Sequence, residues 1–384
     1  MIILRTVKNI SSLNIAASVL LFLAAILAAV VANSSLSPVY QDFLLQELHL
    51  RIGNFNLFSH GGHPLKMIEF INDCLMTVFF LAVGLEIKRE LLVGELSSVR
   101  KAALPFIAAC GGMVVPVVIY ALSVASGTPE TRGMAIPMAT DIAFSLGVLS
   151  LLGKRVPLSL KIFLTAFAVV DDIGGILVIA LFYSADVAYG YLIAAAVLYV
   201  FLYYMGKFGV TQKIFFLFFG VIIWYLFLQS GIHSTISGVI LAFVIPARPR
   251  LDAGKYIERI RDIIGEFPVS KSDNIVLTNA QIATLKQVER ASDYVISPLQ
   301  SLEDNLHGAV SFVILPLFAF ANAGVVFSGS GSIVGDVSIA VAAGLLLGKF
   351  LGIYLFTWLA VKSGVALMPA GMNWKNIAGV SLLG

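Results

Sequence analysis

Charge is the scarcest property of this sequence. Only 12% of its 384 residues are Asp, Glu, Lys or Arg, whereas 59% are hydrophobic. A soluble globular domain carries about 25% charged residues, so this composition excludes an ordinary water-soluble enzyme. Cysteine is scarce as well, with only two residues. Cys74 and Cys110 both lie within apolar runs, which excludes a disulfide framework and a cysteine metal cluster. The sequence also lacks a phosphate-binding GxxxxGK[ST] loop, so nothing supports a primary pump.

Long apolar runs take the place of the missing charge. A membrane-crossing helix needs about 20 mostly apolar residues, whereas a barrel needs alternating strands that do not occur here. We therefore predict an all-α polytopic membrane protein with a single transmembrane domain over 1–384. An eleventh apolar run begins near Asn376 and stops at Gly384, too short to cross a bilayer, which predicts a fold truncated at its C-terminal end. The ten predicted spans are 12–33, 68–87, 102–125, 134–152, 158–183, 189–205, 214–229, 231–246, 308–327 and 333–361.

The distribution of basic residues predicts the orientation. With a cytoplasmic N-terminus and alternating spans, 20 of the 25 Lys and Arg residues fall in cytoplasmic segments and three fall outside. The positive-inside rule favours this arrangement. The net charge of +3 therefore reflects topology, and no nucleic-acid partner is predicted.

Two predicted connections are longer than simple turns. The outer segment 34–67 contains an alternating stretch at 49–57 with a Gly-Asn turn signal, which predicts a small hairpin. The inner segment 247–306 mixes charges with isoleucines at helical spacing. This pattern favours short amphipathic helices at the cytoplasmic surface over a separate functional domain.

Charged residues inside the predicted spans need a reason, because burying one in a bilayer costs about 2.5–3.5 kcal/mol. Asp171 and Asp172 are adjacent near the middle of span five. Side chains of consecutive helical residues point about 100° apart, so both carboxylates can border one cavity between helices. Two neighbouring carboxylates repel each other when both are ionised, so the pair can hold either a proton or a cation. This competition is the minimum requirement for exchange. A satisfied pair that bridges helices is the structural alternative.

Span four carries a second signal. Pro137 disfavours helix, and Thr140 and Asp141 follow it at once. This order predicts a helix interrupted within the membrane, with Asp141 beside the positive end of a half-helix; a simple kink capped by Asp141 is the alternative. Lys349 lies deep in span ten, where Asp171 or Asp172 is its expected partner, although snorkelling to the interface is an alternative.

Two further residues near the outer surface remain ambiguous from the residues alone. Asp73, towards the outer end of span two, suits either a pathway residue or a helix cap. His233, at the outer start of span eight, suits a structural role at least as well as a functional one.

Five motifs together resemble the NhaA family of sodium/proton antiporters. The resemblance implies an inverted-repeat fold with discontinuous helices, electrogenic exchange of sodium or lithium for protons in pH and sodium homeostasis, and a multi-pass protein of the bacterial inner membrane. It implies no cofactor and a homodimer formed through the outer hairpin. The motifs are 79–90 (FFLAVGLEIKRE), 134–144 (MAIPMATDIAF), 169–174 (VVDDIG), 315–324 (LPLFAFANAG) and 347–352 (LGKFLG).

The resemblance also implies roles for individual residues. Asp172 matches the main cation and proton carrier, and Asp171 matches its partner, which can pair with Lys349. Thr140 and Asp141 match the crossing of two broken helices, and Asp73 matches an acid that supports assembly. Positions linked to the family's pH response are matched by Glu86, Arg89, His233, Glu303 and His307.

Two other functions compete with antiport. A sodium-coupled symporter of a small organic anion would usually place cationic or amide groups around its substrate, whereas the groups at mid-membrane here are mainly carboxylates. An intramembrane aspartyl protease uses two Asp residues on different helices, whereas Asp171 and Asp172 are adjacent on one. We therefore predict a transporter without enzymatic activity.

Overall fold

The described part of the chain is almost entirely helical. The computed structural model describes residues 2–53, 55–60, 63–124, 128–138, 145, 149, 156–182, 187–248, 253–267, 276, 278–327, 335–369 and 371–383. In chain order the helices are α1 Ile2–Ala32, α2 Ser37–Leu45, α3 Met67–Val93, α4 Val99–Ser123, α5 Leu158–Phe182, α6 Tyr189–Lys207, α7 Lys213–Ser230, α8 Thr235–Val244, α9 Ala253–Gly265, α10 Asn279–Val295, α11 Pro298–Asn322, α12 Asp336–Lys362 and α13 Trp374–Ser381. Short 3₁₀ helices cover Glu95–Ser97 and Pro129–Met138.

Within the described residues, six helices are long and apolar enough to cross a membrane, and a seventh span results if α1 and α2 count as one bent pair. The two arms of that pair, Ala16–Ala32 and Ser37–Leu45, meet at 113°. These helices confirm the all-α polytopic membrane fold. Of the predicted span 134–152, the structure describes residues 134–138 and positions 145 and 149. Residues 134–138 form the end of a 3₁₀ helix. Thr140, Asp141 and the predicted helix break lie outside the described residues.

Several predicted spans have different bounds in the structure. The first begins at Ile2 instead of residue 12, and the second ends at Val93 instead of residue 87. In place of 231–246, α8 covers ten residues, because Gly231 adopts a left-handed conformation with φ of 81° and ends α7. In place of 308–327, α11 starts at Pro298. Its start is fixed by Ser297, whose Oγ accepts a hydrogen bond from the Gln300 amide at 3.2 Å. The helix therefore reaches into the segment predicted as cytoplasmic.

Four strands occur in the described part of the chain, and they form two small antiparallel pairs at one end of the molecule, which we call the hairpin end. Strands β1 Arg51–Ile52 and β2 Phe55–Asn56 pair within the stretch whose alternation predicts a hairpin. Strands β3 Ser59–His60 and β4 His63–Pro64 form a second pair that the sequence analysis missed. The Gly-Gly dipeptide between them is the signal that could have revealed it.

Glycines bring α12 and α4 into close contact. Gly344, Gly348 and Gly352 are spaced four residues apart along α12 and therefore form a stripe on one face. A Cβ atom at Gly348 would lie 2.7 Å from the Pro116 Cα of α4, and one at Gly352 would clash with the Gly111 carbonyl. Small residues at these positions let the backbones approach, as is common between membrane helices.

Three helices contain π-helical segments that the sequence analysis did not predict. They cover Phe70–Leu75 in α3, Val310–Ile314 in α11 and Gly344–Lys349 in α12. A π-helical turn shifts the hydrogen bonding to i→i+5 and is frequent at functional sites. The first contains Asp73 and the third ends at Lys349, so two candidate residues lie where their helices depart from α geometry.

Candidate functional site

A fully buried ion pair joins α5 to α12. Lys349 Nζ donates a hydrogen bond to Asp171 Oδ2 at 2.8 Å, and the two side chains are 1% and 2% exposed. The sequence predicted that Lys349 would pair with Asp171 or Asp172, and the structure selects Asp171. A buried charge is tolerated only when it is paired, and each of these side chains provides the other with an oppositely charged partner.

The ring of Phe167 lies on one side of this pair. Its centroid is 5.8 Å from Lys349 Nζ, within the range of a cation–π contact. Phe167 precedes Asp171 by one helical turn and is itself fully buried. The Lys349 ammonium is therefore held between a carboxylate and an aromatic face that both belong to α5.

Asp172 is next to the pair but is less buried than Asp171. It lies within electrostatic range of the Lys349 ammonium. One cation thus faces two carboxylates, and Asp171 makes the short contact. Asp172 is therefore a second, less buried carboxylate beside the same cation.

The packing of α4 fixes the site geometrically. On one face, α4 contacts the glycine stripe of α12. On another, Gly112 of α4 lies under the Phe167 ring, with 3.4 Å between that ring and a Cβ atom built on the glycine. The site is therefore supported by three helices whose backbones are held close together. Among the described residues, no group of three or more His, Cys, Asp or Glu side chains could hold a metal ion as it stands.

Asp73 lies apart from this site, at the hairpin end. Its carboxylate accepts a hydrogen bond from Ser234 Oγ at 3.1 Å. Its backbone carbonyl accepts bonds from Thr77 Oγ1, Trp224 Nε1 and Ser234 Oγ. Asp73 sits in the π-helical segment, and three side-chain donors converge on its carbonyl. Asp73 therefore connects α3 with α7 and with the start of α8.

A third group of charges lies at the opposite end of α3. Arg89 Nε donates to both carboxylate oxygens of Glu303, at 2.9 and 3.1 Å, and another guanidinium nitrogen contacts Glu90 Oε1 at 2.9 Å. Glu86 lies within electrostatic range of these residues. The structure thus brings together Glu86, Arg89 and Glu303. His307 is exposed one turn further along α11, whereas His233 lies near Asp73.

Lys88 is a residue that the sequence analysis did not single out. Its ammonium donates to the carbonyls of Ala242 at 3.3 Å, Phe243 at 2.7 Å and Ile245. These carbonyls belong to the last turn of α8 and the residue after it, where a helix lacks partners for its carbonyl groups. The sequence carries no signal for this contact, because Lys88 directly follows the predicted span 68–87 and lies between Glu86 and Glu90.

Comparison with known proteins gives a consistent result along the chain. The Na+/H+ antiporter 1 family matches residues 8–384. A protein of Bacteroides thetaiotaomicron named Na(+)/H(+) antiporter NhaA is 74% identical over 384 residues, which cover 100% of this chain and 88% of that protein. A protein of the same name from Parabacteroides distasonis is 50% identical over 388 aligned positions, 100% of this chain and 85% of that protein. Na(+)/H(+) antiporter NhaA 1 of Saccharophagus degradans is 42% identical over 370 positions, 95% of this chain and 78% of that protein.

Proposed function

The chain belongs to the Na+/H+ antiporter 1 family, and we propose that it exchanges sodium ions for protons across a bacterial membrane. The observation that carries this proposal is the buried Asp171–Lys349 pair with Asp172 beside it. The relatives are named antiporters, so the symporter interpretation finds no support. Their names also fit a transporter rather than an enzyme.

The site suggests how one position can serve both ions. A sodium ion needs oxygen ligands and negative charge, which Asp172 supplies only when it is deprotonated. A proton on Asp172 removes that charge, so the two ions exclude each other. The Lys349 ammonium lies against Asp171, which limits the net charge that the buried site must carry. Binding of sodium on one side of the membrane and of protons on the other then produces exchange.

Several finer assignments are part of the same proposal. Lithium would replace sodium, because both are small cations that bind oxygen ligands. The N-terminus would face the cytoplasm of an inner membrane, as the basic residues favour. The outer hairpins would form a homodimer contact, and 247–306 would lie at the cytoplasmic surface. Thr140 and Asp141 would lie where two broken helices of an inverted repeat cross.

The remaining candidates would act away from the transport site. Glu86, Arg89 and Glu303 form one charged group, so a change in its protonation would act on the packing of α3 against α11. We assign the response to pH to this group together with His307 and His233, and an assembly role to Asp73.

Everted membrane vesicles that contain the protein test the proposal. Sodium added to respiring vesicles should release accumulated protons, measured with a fluorescent dye that responds to the pH gradient. Asp172→Asn should abolish this release, because the amide keeps the size of the carboxylate but cannot cycle a proton. The matched control is Asp42→Asn, since Asp42 is exposed on α2.

Two results would contradict the proposal. Vesicles with the unchanged protein that show no sodium-dependent release would contradict antiport itself. Undiminished release by Asp172→Asn, at the protein level of the control, would contradict the assignment of the site.

A further inference from the structure

A wide cavity at the hairpin end has an unusual set of side chains. Its volume is about 660 Å³, and it lies between the β3–β4 hairpin, α3 and the turn that precedes α8. Three of the chain's five histidines line it, His60, His63 and His233. Histidine is the commonest metal ligand among the side chains, so this concentration outside the transport site requires an explanation.

Two of these histidines are direct cross-strand neighbours. His60 and His63 are opposite each other in the register of β3 and β4. Side chains at opposite positions of an antiparallel pair project from the same face, with Cβ atoms about 4.5–5.5 Å apart. Both imidazoles line the cavity. At this spacing, two imidazole nitrogens can bind one ion, since the Zn–N distance is about 2.0–2.1 Å.

The hairpin that carries the pair is firmly attached to the helices. Gln229 Nε2 of α7 donates to the Ser59 carbonyl, and the Leu65 amide donates to the Phe58 carbonyl at 2.9 Å. Leu65 is buried and packs against Trp224. The strands that carry the histidine pair are therefore anchored to α7, and such anchoring lowers the entropy lost on binding an ion.

The same cavity also contains negative charge and a third imidazole. Asp73 lies within electrostatic range of both His60 and His233. The other ionisable residues along the wall are Glu47, Glu69 and Lys66. The acids outnumber the single lysine, and this excess favours a divalent cation. His233 lines the same cavity as the hairpin pair.

We propose that His60 and His63 form a chelating site for a divalent transition-metal ion such as Zn2+, with His233 as the third ligand. Imidazole nitrogen suits zinc, copper and nickel, whereas magnesium and calcium prefer oxygen. Among the described residues, no three His, Cys, Asp or Glu side chains already stand at coordinating distance. The ion therefore first engages the cross-strand pair, and His233 closes on it by a change of rotamer.

Calorimetric titration of the purified full chain in detergent with zinc chloride tests this site. Zinc should bind and raise the melting temperature. Loss of a residue that merely supports a metal ligand typically weakens metal binding by about 10–100-fold. Because His60 and His63 would be ligands themselves, His60→Asn or His63→Asn should weaken zinc binding by at least this factor. The control is His307→Asn, because His307 is an exposed histidine of α11 that does not line the cavity; its zinc affinity should equal that of the unchanged chain. Magnesium should produce no shift.

Melting in the absence of zinc checks that each variant is folded, and His60→Gln with His63→Gln provides a second pair of substitutions. Equal zinc affinity in the control and in the His60 and His63 variants would overturn the proposal, as would an unchanged chain that binds no zinc. His233→Asn should also weaken binding, and unchanged affinity in that variant would overturn its role as third ligand. None of these measurements depends on sodium/proton exchange, so the result is independent of the proposed function.

Discussion

The buried pair between Lys349 and Asp171 can be separated into its contributions by a double-mutant cycle. The three variants are Lys349→Met, Asp171→Asn and the double substitution. The pair is at most 2% exposed and its atoms are 2.8 Å apart. Removal of one partner of such a pair costs about 3–5 kcal/mol, because the other charge stays buried without compensation. Removal of both partners can be nearly neutral. We therefore expect the double variant to lose less stability than the sum of the single variants.

The structure also predicts that the two single variants differ. In Asp171→Asn, the Lys349 ammonium still has Asp172 within electrostatic range. In Lys349→Met, two neighbouring carboxylates lose their cation and repel each other. Lys349→Met should therefore lower the melting temperature more than Asp171→Asn does. Lys349→Arg should be milder than Lys349→Met, since it keeps the charge and overpacking costs only about 1–3 kcal/mol.

Thermal unfolding in detergent, followed by intrinsic fluorescence, provides the assay. Residues in contact usually show coupling energies of about 0.5–3 kcal/mol. A double variant whose loss equals the sum of the two single losses would show that the pair is not coupled. Equal melting temperatures for Lys349→Met and Lys349→Arg would likewise refute the reasoning, because they would mean that the charge at this position is unimportant.

Further predictions concern the packing that surrounds the site. Gly348→Val should lower the melting temperature, because the new Cβ would lie 2.7 Å from the backbone of α4; Gly175→Ala, where a Cβ meets nothing within 4 Å, should leave it unchanged or raise it by the equivalent of about 0.5–1 kcal/mol. Lys88→Met should cost about 1.5–3 kcal/mol, as for hydrogen bonds to a charged group, because it uncovers the carbonyls at the end of α8. Lys101→Met is its control. The Lys101 side chain is 56% exposed and its ammonium lies as far as 4.0 Å from the Glu95 carboxylate, so the substitution should change the melting temperature little. Equal changes in melting temperature for Gly348→Val and Gly175→Ala, or for Lys88→Met and Lys101→Met, would contradict the assigned contacts.

The spans and the charged site could be predicted because they depend on composition. Apolar runs of sufficient length identify helices such as α4 and α5 within a few residues. Asp171, Asp172 and Lys349 stand out because charge is so rare in these runs. The residues alone left both Asp171 and Asp172 open as the partner of Lys349, because the choice depends on the rotation of α5 against α12. Only the family resemblance indicated Asp171.

The features that sequence analysis missed depend on tertiary packing. A π-helical segment differs from an α-helix by the choice of one hydrogen-bond acceptor, and nothing in Phe70–Leu75 or Gly344–Lys349 distinguishes them from ordinary helix. The partners of Asp73 are distant in the chain, since Trp224 and Ser234 reach it from other elements. The same is true of Lys88, whose acceptors lie more than 150 residues away.

Competition between sodium and protons for Asp172 is the central claim, and proton release on sodium binding tests it most directly. The purified chain would be titrated with sodium chloride by calorimetry in buffers of different ionisation enthalpy. The observed heat then depends on the buffer in proportion to the protons released. We predict release of protons by the unchanged chain and none by Asp172→Asn, with Asp42→Asn behaving like the unchanged chain. Sodium binding without proton release, or unaltered release by Asp172→Asn, would contradict the account.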